Sequence, residues 1–391
     1  MRTEGDFIKI NEWLTPLSYL YGLGIKIRNF LFDIGVLHSK TYSTPIISVG
    51  NITVGGSGKT PHVEYLIRLL QEHMQVAVLS RGYKRKTKGY YLATITSTMS
   101  EIGDEPFQMK QKFPSAYVAV DCKRTRGIEH LINDKTTKDV EAILLDDAFQ
   151  HRYVKPGLNI LLVDYHRLII YDKLLPAGRL REHVNAKKRA DIVVVTKCPK
   201  DLKPMEYRVL TKAMSLYPFQ ELYFTTIDYD DLKGLFTNRT RNLSDIREKN
   251  VILLTGIASP KQIIADLTPL CRKIIPITYS DHHAFTEKDI ANINQQYSMV
   301  EDNKIIITTE KDATRLIGMN SLSEEIRNNI YTLPIHITFM LGQGEKFNHK
   351  ILSYVRKNSR NGKLVKTKNN HKSQNSNHIG NRSRTISFRD N

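Results

Sequence analysis

The residues of this chain best suited to chemistry form a glycine-rich turn that ends in a lysine and a threonine. Residues 45–61 read PIISVGNITVGGSGKTP, with a β-branched, apolar run before the turn and a helix-forming sequence after it. Glycines without a Cβ let several backbone N–H groups converge on phosphate oxygens, and the positive end of the following helix adds to the attraction. The order of strand, turn and helix therefore predicts a P-loop that binds a nucleotide.

The positions of this loop have distinct expected roles. Lys59 would place a cation on the β- and γ-phosphates, and the hydroxyl of Thr60 would be a ligand for Mg²⁺. The usual pattern has glycine six residues before the lysine, whereas Thr53 stands there in this chain. A glycine-rich turn without a ligand is the alternative, and the agreement of strand, turn, lysine and helix disfavours it. The residues expected to bind the nucleotide are Thr53, Val54, Gly55, Gly56, Ser57, Gly58, Lys59 and Thr60.

Two pairs of carboxylates are candidates for metal binding and proton transfer. Asp146 and Asp147 end an apolar run, where a carboxylate can hold Mg²⁺ opposite the P-loop threonine, although paired acids also cap helices. Asp104 and Glu105 follow a glycine in GDEP. Phosphoryl transfer to an alcohol needs a group that accepts the hydroxyl proton, and Asp104 is the candidate. The alternative is again a helix cap, since acids before proline commonly serve that purpose.

Basic and polar side chains that follow predicted strands are candidates for binding the acceptor substrate. Ligands of open α/β sheets bind at the carboxyl edge, where the segments SRGYKRK and DCKRTRG are expected to lie. The alternatives are solvated basic loops and, for the histidine, a structural hydrogen bond. The candidates are Arg81, Tyr83, Arg124, His151 and Arg181.

The elements that must position these groups alternate between apolar strands and helical lengths. Uniformly apolar runs such as residues 158–164 and 190–197 predict a parallel sheet covered on both faces. Beyond residue 215 the alternation restarts without a second P-loop, which predicts a smaller α/β lobe. The final segment is rich in Asn, Ser, Lys and Arg and is predicted to be disordered. The predicted divisions are an N-terminal segment 1–40, a P-loop domain 41–218, a smaller lobe 219–350 and a basic tail 351–391.

The charge and the cysteine content narrow the class of protein. The 391 residues carry a formal net charge of +18, which favours anionic partners such as nucleic acid, anionic phospholipid or a phosphorylated glycolipid. Charge alone does not choose among them. The 3 cysteines show no C-x-x-C spacing and predict neither a disulfide framework nor a zinc site, which fits a reducing cytoplasm.

The N-terminus combines apolar and aromatic residues with scattered cations. Residues 13–25 carry no charge and are too few to span a bilayer as a helix. A signal peptide is disfavoured because Glu4 and Asp6 lie where its positive region should be. Aromatic residues interleaved with Lys26 and Arg28 predict an amphipathic helix that lies in the plane of a membrane interface. The alternative is an ordinary helix packed on the domain.

Eight short motifs together resemble one known family. VGNITVGGSGKTP, SRGYKRK, GDEP, DDAFQHR, LLPAGRLRE, LTGIASP, SDHHAF and TTEKDATR stand here in the order found in the tetraacyldisaccharide 4'-kinases, and the resemblance runs from about residue 13 to residue 340. It implies that the γ-phosphate of ATP is transferred, with Mg²⁺, to the 4'-hydroxyl of a tetraacyldisaccharide 1-phosphate, a lipid A precursor. It also implies two α/β/α lobes joined by a β-ribbon. The implied location is the cytoplasmic face of the inner membrane of a Gram-negative bacterium, with the N-terminal helix at the membrane.

The resemblance also assigns roles to individual residues. It makes Asp104 the catalytic base, coupled to His282 of the second lobe. Two residues, Ala148 and Arg179, depart from the family pattern beside these groups. The metal and phosphate ligands it implies are Lys59, Thr60, Glu105, Asp146 and Asp147, with Arg81 and Tyr83 in the cleft.

The alternative from another class is a P-loop NTPase that acts on nucleic acid. The chain shows no obvious RNA-binding module and no aromatic stacking run among its basic stretches. A GTP-using switch is a second alternative, because TK in VVVTKCP weakly resembles a guanine-reading loop, but no aspartate follows at the needed position. We therefore expect a glycolipid and the inner-membrane surface as partners, with no nucleic acid and no obligate protein partner.

Overall fold

The structure is a computed structural model that describes residues 10–257, 259–281, 283–301, 303–319 and 321–359. Within these residues the chain forms two β-sheets that helices flank. The fold is α/β with two lobes, and the sequence prediction of this class is confirmed.

The bounds of the strands follow the predicted apolar runs. Before the second lobe the strands are β1 (Ile46–Gly50), β2 (Val76–Ser80), β3 (Tyr91–Leu92), β4 (Tyr117–Val120), β5 (Ala142–Asp146), β6 (Leu158–Asp164), β7 (Ile192–Thr196) and β8 (Glu221–Tyr229). The remaining strands are β9 (Leu232–Gly234), β10 (Thr240–Arg241), β11 (Asn250–Thr255), β12 (Lys273–Thr278), β13 (Lys304–Thr309), β14 (Ile330–Leu333) and β15 (Ile335–Phe339).

The helices alternate with these strands. They are α1 (Thr15–Asp33), α2 (Lys59–Gln71), α3 (Met99–Ile102), α4 (Asp104–Lys112), α5 (Arg124–Asn133), α6 (Pro204–Met214), α7 (Lys261–Leu267), α8 (Glu287–Met299), α9 (Glu310–Leu316) and α10 (Glu324–Asn329).

The larger sheet places the predicted functional loops side by side. Its order is β15-β8-β7-β6-β1-β5-β2-β4-β3, with the inner strands parallel and the edge strands β3 and β15 antiparallel to their neighbours. Strand β1 lies between β6 and β5, and Val49 pairs with Asp146. The loop after β1 and the acid pair after β5 therefore open at the same carboxyl edge.

Helices cover both faces of this sheet. Every residue of β1, β2, β5 and β7 is buried. Leu66 and Leu70 of α2 pack on one face, whereas Ile128 and Leu131 of α5 pack on the other. Burial on both sides is the reason that these strands are apolar at every position instead of alternating.

A two-stranded ribbon joins the lobes. The smaller sheet has the order β10-β9-β14-β13-β11-β12, in which β11 to β14 run parallel. The chain enters this lobe after β8 and leaves it through β15, and these two strands pair antiparallel from Tyr229 with Ile335 to Thr225 with Phe339. The predicted β-ribbon is therefore present.

The structure corrects the predicted start of the tail. Residues 344–359 are helical and return to the larger lobe, where Phe347, Ile351 and Val355 enter its core. The Tyr354 hydroxyl donates a hydrogen bond to the Ile46 carbonyl at 3.1 Å. The high local charge is the reason that this segment was predicted to be disordered. An apolar residue at every fourth position nevertheless gives this helix an apolar face that can be buried. Residues 360–391 lie outside the described residues.

Candidate active site

The turn after β1 has the backbone conformation that only glycine tolerates easily. Gly55 has φ +114° and Gly58 has φ +78°, and Gly58 is the residue from which α2 begins. A side chain at either position would strain the backbone. The turn therefore delivers Lys59 and Thr60 to the first turn of α2, where the N-terminal backbone amides have no helical partner.

Polar contacts within the loop and one from a neighbouring loop brace the entry to this turn. The Val54 N–H donates to the Arg179 carbonyl at 2.8 Å. The Asn51 amide donates to the Ser57 hydroxyl at 2.7 Å and to the Thr53 hydroxyl at 3.3 Å. Thr53, which replaces the usual glycine, thus has a bracing role here. Asn51 was missed as a functional candidate, although the N-x-T portion of the motif contained it.

The acid pair at the end of β5 faces the loop. Asp146 is buried, and one of its carboxylate oxygens accepts a hydrogen bond from the Ser80 hydroxyl at 2.9 Å. The other oxygen, Oδ1, is buried and has no hydrogen-bond partner. Asp147 adopts φ +45°, and its carboxylate lies 3.8 Å from the Lys59 ammonium and 3.2 Å from the Arg181 guanidinium. Lys59, Asp147 and Arg181 therefore lie together at this edge of the sheet.

The two acids differ in their protonation. Burial, together with the nearby charges of Glu105 and Asp147, raises the pKa of Asp146 to about 7. Burial also acts to raise the pKa of Asp147, but Lys59 and Arg181 hold that pKa below its ordinary value. Asp147 is thus an ionised partner of the P-loop lysine, whereas Asp146 is a buried carboxyl whose pKa stays raised although Lys59 acts to lower it.

These oxygens fit a magnesium ion. Mg²⁺ takes oxygen ligands and usually binds through one or two carboxylates, water and substrate phosphates. The unpartnered oxygen of Asp146, the Thr60 hydroxyl and the carboxylates of Asp147 and Glu105 supply such donors. Among the described residues no group of three or more His, Cys, Asp or Glu side chains could hold a metal alone.

The predicted base lies where the two lobes meet. Asp104 is the first residue of α4 and follows Gly103, whose φ is +90°. Its carboxylate accepts hydrogen bonds from Arg315 of α9, with Nε at 3.1 Å, and Arg315 also donates to Asp312 at 3.0 Å. Arg315 was not predicted as a site residue, although it closes the TTEKDATR motif. His282, the expected partner of Asp104, lies outside the described residues, and their coupling stays a prediction.

The predicted substrate residues fall into two groups. Arg81 and Tyr83 are exposed in the loop after β2, and Arg181 is half-buried beside Asp147. His151 is half-buried, and burial together with the charges of Arg124 and Arg81 lowers its pKa to about 4. His151 is therefore a neutral imidazole near these cations.

Arg124 is placed differently from the prediction. Its side chain is buried, and its guanidinium donates to the backbone carbonyls of Asp121 at 2.5 Å and Asp146 at 3.0 Å. Burial lowers the pKa of Arg124 to about 10, with Asp146 opposing the shift. Because the two terminal nitrogens of the guanidinium bind backbone carbonyls, this geometry favours a supporting role for Arg124 beneath the acid pair over the predicted contact with the substrate.

Comparison with known proteins gives consistent matches over most of the chain. The sequence model of the tetraacyldisaccharide-1-P 4'-kinase family matches residues 10–356. The tetraacyldisaccharide 4'-kinase of Phocaeicola vulgatus is 56% identical over 361 residues, which are 92% of this chain and 99% of that protein. The corresponding protein of Bacteroides thetaiotaomicron is 51% identical over 380 residues, 95% of this chain and 100% of that protein.

A solved structure matches the fold as well. The crystal structure of LpxK from Aquifex aeolicus in complex with ATP superposes with a TM-score of 0.68 at 29% identity. The match covers 88% of this chain and 99% of that one. From the family match and these relatives, the chain belongs to the tetraacyldisaccharide-1-P 4'-kinase family.

Proposed function

We propose that this protein transfers the γ-phosphate of ATP to the 4'-hydroxyl of a tetraacyldisaccharide 1-phosphate in lipid A biosynthesis. The observation that carries the proposal is the pairing of the P-loop lysine with Asp147, the residue after β5, at 3.8 Å in a chain of this family. The relative solved with ATP supports the choice of nucleotide.

In the proposed mechanism the loop and the acid pair hold the phosphates. The N–H groups at the start of α2 bind phosphate oxygens, and Lys59 bridges the β- and γ-phosphates. Thr60, Asp146, Asp147 and Glu105 would hold Mg²⁺, which when bound neutralises phosphate charge. These groups position the γ-phosphorus for in-line attack.

Asp104 then acts as the base for the acceptor hydroxyl. It takes the proton of the 4'-hydroxyl as that oxygen bonds to the γ-phosphorus, and the bond from the γ-phosphorus to the bridging oxygen breaks to release ADP. His282 would couple to this carboxylate from the second lobe. Arg81, Tyr83, His151 and Arg181 surround the same edge of the sheet and are proposed to contact the anionic glycolipid.

The N-terminal helix is proposed to hold the enzyme on a membrane. α1 contacts the larger lobe through polar groups such as the Ser18 hydroxyl, which donates to the Leu174 carbonyl at 3.0 Å. Leu20 and Phe30 of this helix are exposed at 68% and 57%, and Trp13, just before it, is exposed at 94%. No described helix is long and apolar enough to cross a bilayer. An interfacial position on the cytoplasmic face of the inner membrane would bring the enzyme to its lipid substrate.

The direct test is transfer of labelled phosphate. Purified protein is incubated with γ-labelled ATP, Mg²⁺ and tetraacyldisaccharide 1-phosphate, and the lipid is extracted. We expect labelled bisphosphorylated lipid from the wild type and none above background from Lys59→Ala. Asp104→Ala should retain ATP binding and lose turnover by about 10²-fold or more. An unlabelled lipid, with ATP hydrolysis stimulated by DNA or RNA instead, would overturn the proposal.

A further inference from the structure

Three side chains each form a hydrogen bond with one of three consecutive backbone carbonyl groups of the phosphate-binding loop. The Lys197 ammonium donates to the Gly56 carbonyl, and the Thr196 hydroxyl donates to the Ser57 carbonyl at 3.0 Å. The Nδ1 atom of His62 lies 2.7 Å from the Gly58 carbonyl. We call His62, Thr196 and Lys197 the carbonyl clamp.

Fixing a carbonyl also fixes the amide that shares its peptide plane. The C=O of one residue and the N–H of the next point in opposite directions because the peptide unit is planar and trans. Thr196 and His62 therefore turn the N–H groups of Gly58 and Lys59 away from the clamp. The N–H of Ser57 instead closes a tight turn onto the Gly55 carbonyl at 3.1 Å, and Lys197 holds the far side of that turn.

The clamp is anchored in the rigid part of the sheet. Thr196 ends β7 and is fully buried. Lys197 follows with φ +57°, a conformation that costs energy for a residue with a Cβ, and its ammonium also pairs with Asp164 at 2.7 Å. Asp164 ends β6, so β6 and β7, the two strands that follow β1 on one side of the sheet, fix the position of this lysine.

His62 links the loop to the ribbon between the lobes. A carbonyl can only accept, so Nδ1 donates to Gly58, and Nε2 accepts from the Thr225 hydroxyl of β8 at 3.1 Å. Burial of the ring lowers the pKa of His62 to about 4, although its bond to Gly58 acts to raise it. His62 is thus a neutral ring with both nitrogens satisfied.

The clamp gives the TK pair of VVVTKCP a role that the sequence did not reveal. That pair weakly resembled a loop that reads guanine, which would place Lys197 against a nucleotide base. In the structure the ammonium of Lys197 is bound to a backbone carbonyl of the loop and to Asp164. Its contacts are directed at the phosphate-binding turn.

We propose that His62, Thr196 and Lys197 are positioning residues that hold the loop amides in their phosphate-binding orientation before the nucleotide arrives. The proposal rests on the proposed function only in that the loop binds a polyphosphate. An amide already aimed at its ligand does not have to be ordered on binding, so the clamp raises affinity without touching the nucleotide. The affinity that the clamp adds should depend on the phosphates of the ligand and should not depend on whether the ligand carries a base.

The test compares a nucleotide with a ligand that has no base. Dissociation constants of the full chain for MgATP and for magnesium tripolyphosphate are measured by competition against one fluorescent nucleotide. The variants are Thr196→Val, which removes one hydroxyl at constant shape, and Lys197→Met. The matched controls are Thr308→Val, where a buried strand hydroxyl has no hydrogen-bond partner, and Lys200→Met, where the lysine pairs with Asp228 at the surface.

We expect each clamp variant to bind both ligands about tenfold more weakly, since one hydrogen bond to the loop is lost. The controls should stay within about twofold of the wild type, and thermal melting without ligand should show that all variants fold. Unchanged affinities in the clamp variants would overturn the proposal. A loss for MgATP without a loss for tripolyphosphate would assign Lys197 to the base instead. If the wild type binds both ligands but does not phosphorylate the glycolipid, the proposed function fails and the clamp stands.

Discussion

Among single residues, Asp146 destabilises the folded protein when it is ionised, yet it is well placed to bind a metal ion. A carboxyl whose pKa is higher in the folded than in the unfolded chain binds its proton more tightly when folded. Its stabilising contribution is present at low pH and is lost as the pH rises from the ordinary value, near 4, through about 7. Above that range the protein holds a buried negative charge that Lys59 offsets only in part, and a bound metal would neutralise it.

Asp146→Asn should therefore make the metal-free protein more stable and less active. We expect the free energy of unfolding at pH 8 to rise by about 1 kcal/mol or more, because the amide carries no charge to bury. Phosphoryl transfer at limiting Mg²⁺ should fall by about a hundredfold. Chemical denaturation at pH 5 and pH 8 measures the first effect, and the gain should shrink at pH 5. Asp201→Asn at the surface is the control, and a variant no more stable than wild type at pH 8 would contradict the argument.

Arg124 leads to a second prediction at this scale. Its guanidinium satisfies the carbonyls of Asp121 and Asp146, so its removal leaves buried acceptors unpaired. Arg124→Met should lower the free energy of unfolding by about 2 kcal/mol, with little change in KM for the glycolipid. Denaturant unfolding and steady-state kinetics separate the two effects, with exposed Arg208→Met as the control. A large rise in the KM for the glycolipid, in a variant as stable as the wild type, would show that Arg124 contacts the substrate.

At the scale of elements, α4 and α9 connect the lobes through charged side chains. Asp104 at the start of α4 pairs with Arg315, and Lys112 at its end lies 2.6 Å from Glu64 of α2 and 2.8 Å from Glu310 of α9. Burial raises the pKa of Glu64, and Lys112 opposes that shift. Both ends of one helix are therefore fixed to the second lobe, and the orientation of Asp104 depends on Arg315.

Arg315→Gln should reduce kcat more than it changes nucleotide affinity. We expect a fall of about tenfold or more in kcat, since the carboxylate of Asp104 loses a charge-assisted partner that orients it. The affinity for MgATP should change by less than about twofold, because the loop lies in the other lobe. Arg315→Lys should recover part of the rate, and exposed Arg272→Gln should behave like wild type. Equal losses of kcat and MgATP affinity would indicate general damage to the fold.

The sequence predicted those features that are contiguous in the chain. An apolar strand and the polar residues that follow it lie together, so β1 with Lys59 and β5 with Asp146 could be placed at one edge. Partners that meet only through folding could not be predicted, and Arg315 lies 211 positions from Asp104. The burial of Arg124 could not be predicted for the same reason, because an exposed basic loop and a buried arginine have the same local sequence pattern. The helix 344–359 was missed because its packing surface belongs to the distant larger sheet.

At the scale of the whole molecule, charge and exposed apolar surface act together. The formal net charge of +18 attracts an anionic surface over a distance that salt shortens. In the proposed attachment the exposed side of α1 would supply the short-range contact, because an apolar side chain gains roughly 1.5–3 kcal/mol when it leaves water. Neither effect alone gives stable attachment, so we expect both to be needed for turnover on a bilayer.

Leu20→Glu should accordingly separate attachment from chemistry. Leu20 is 68% exposed on α1, and placing a carboxylate there removes an apolar contact and repels an anionic surface. We expect binding to vesicles that contain anionic phospholipid to weaken by about tenfold or more, with a parallel loss of turnover on vesicle-embedded glycolipid. Turnover on glycolipid dispersed in detergent should be unchanged because Leu20 is exposed and is not among the residues proposed to hold ATP, Mg²⁺ or the acceptor hydroxyl. Met205→Glu, at an equally exposed position on α6, is the matched control. Sedimentation with vesicles at low and high salt measures attachment, and equal sedimentation of both variants with the wild type would show that α1 is not the membrane contact.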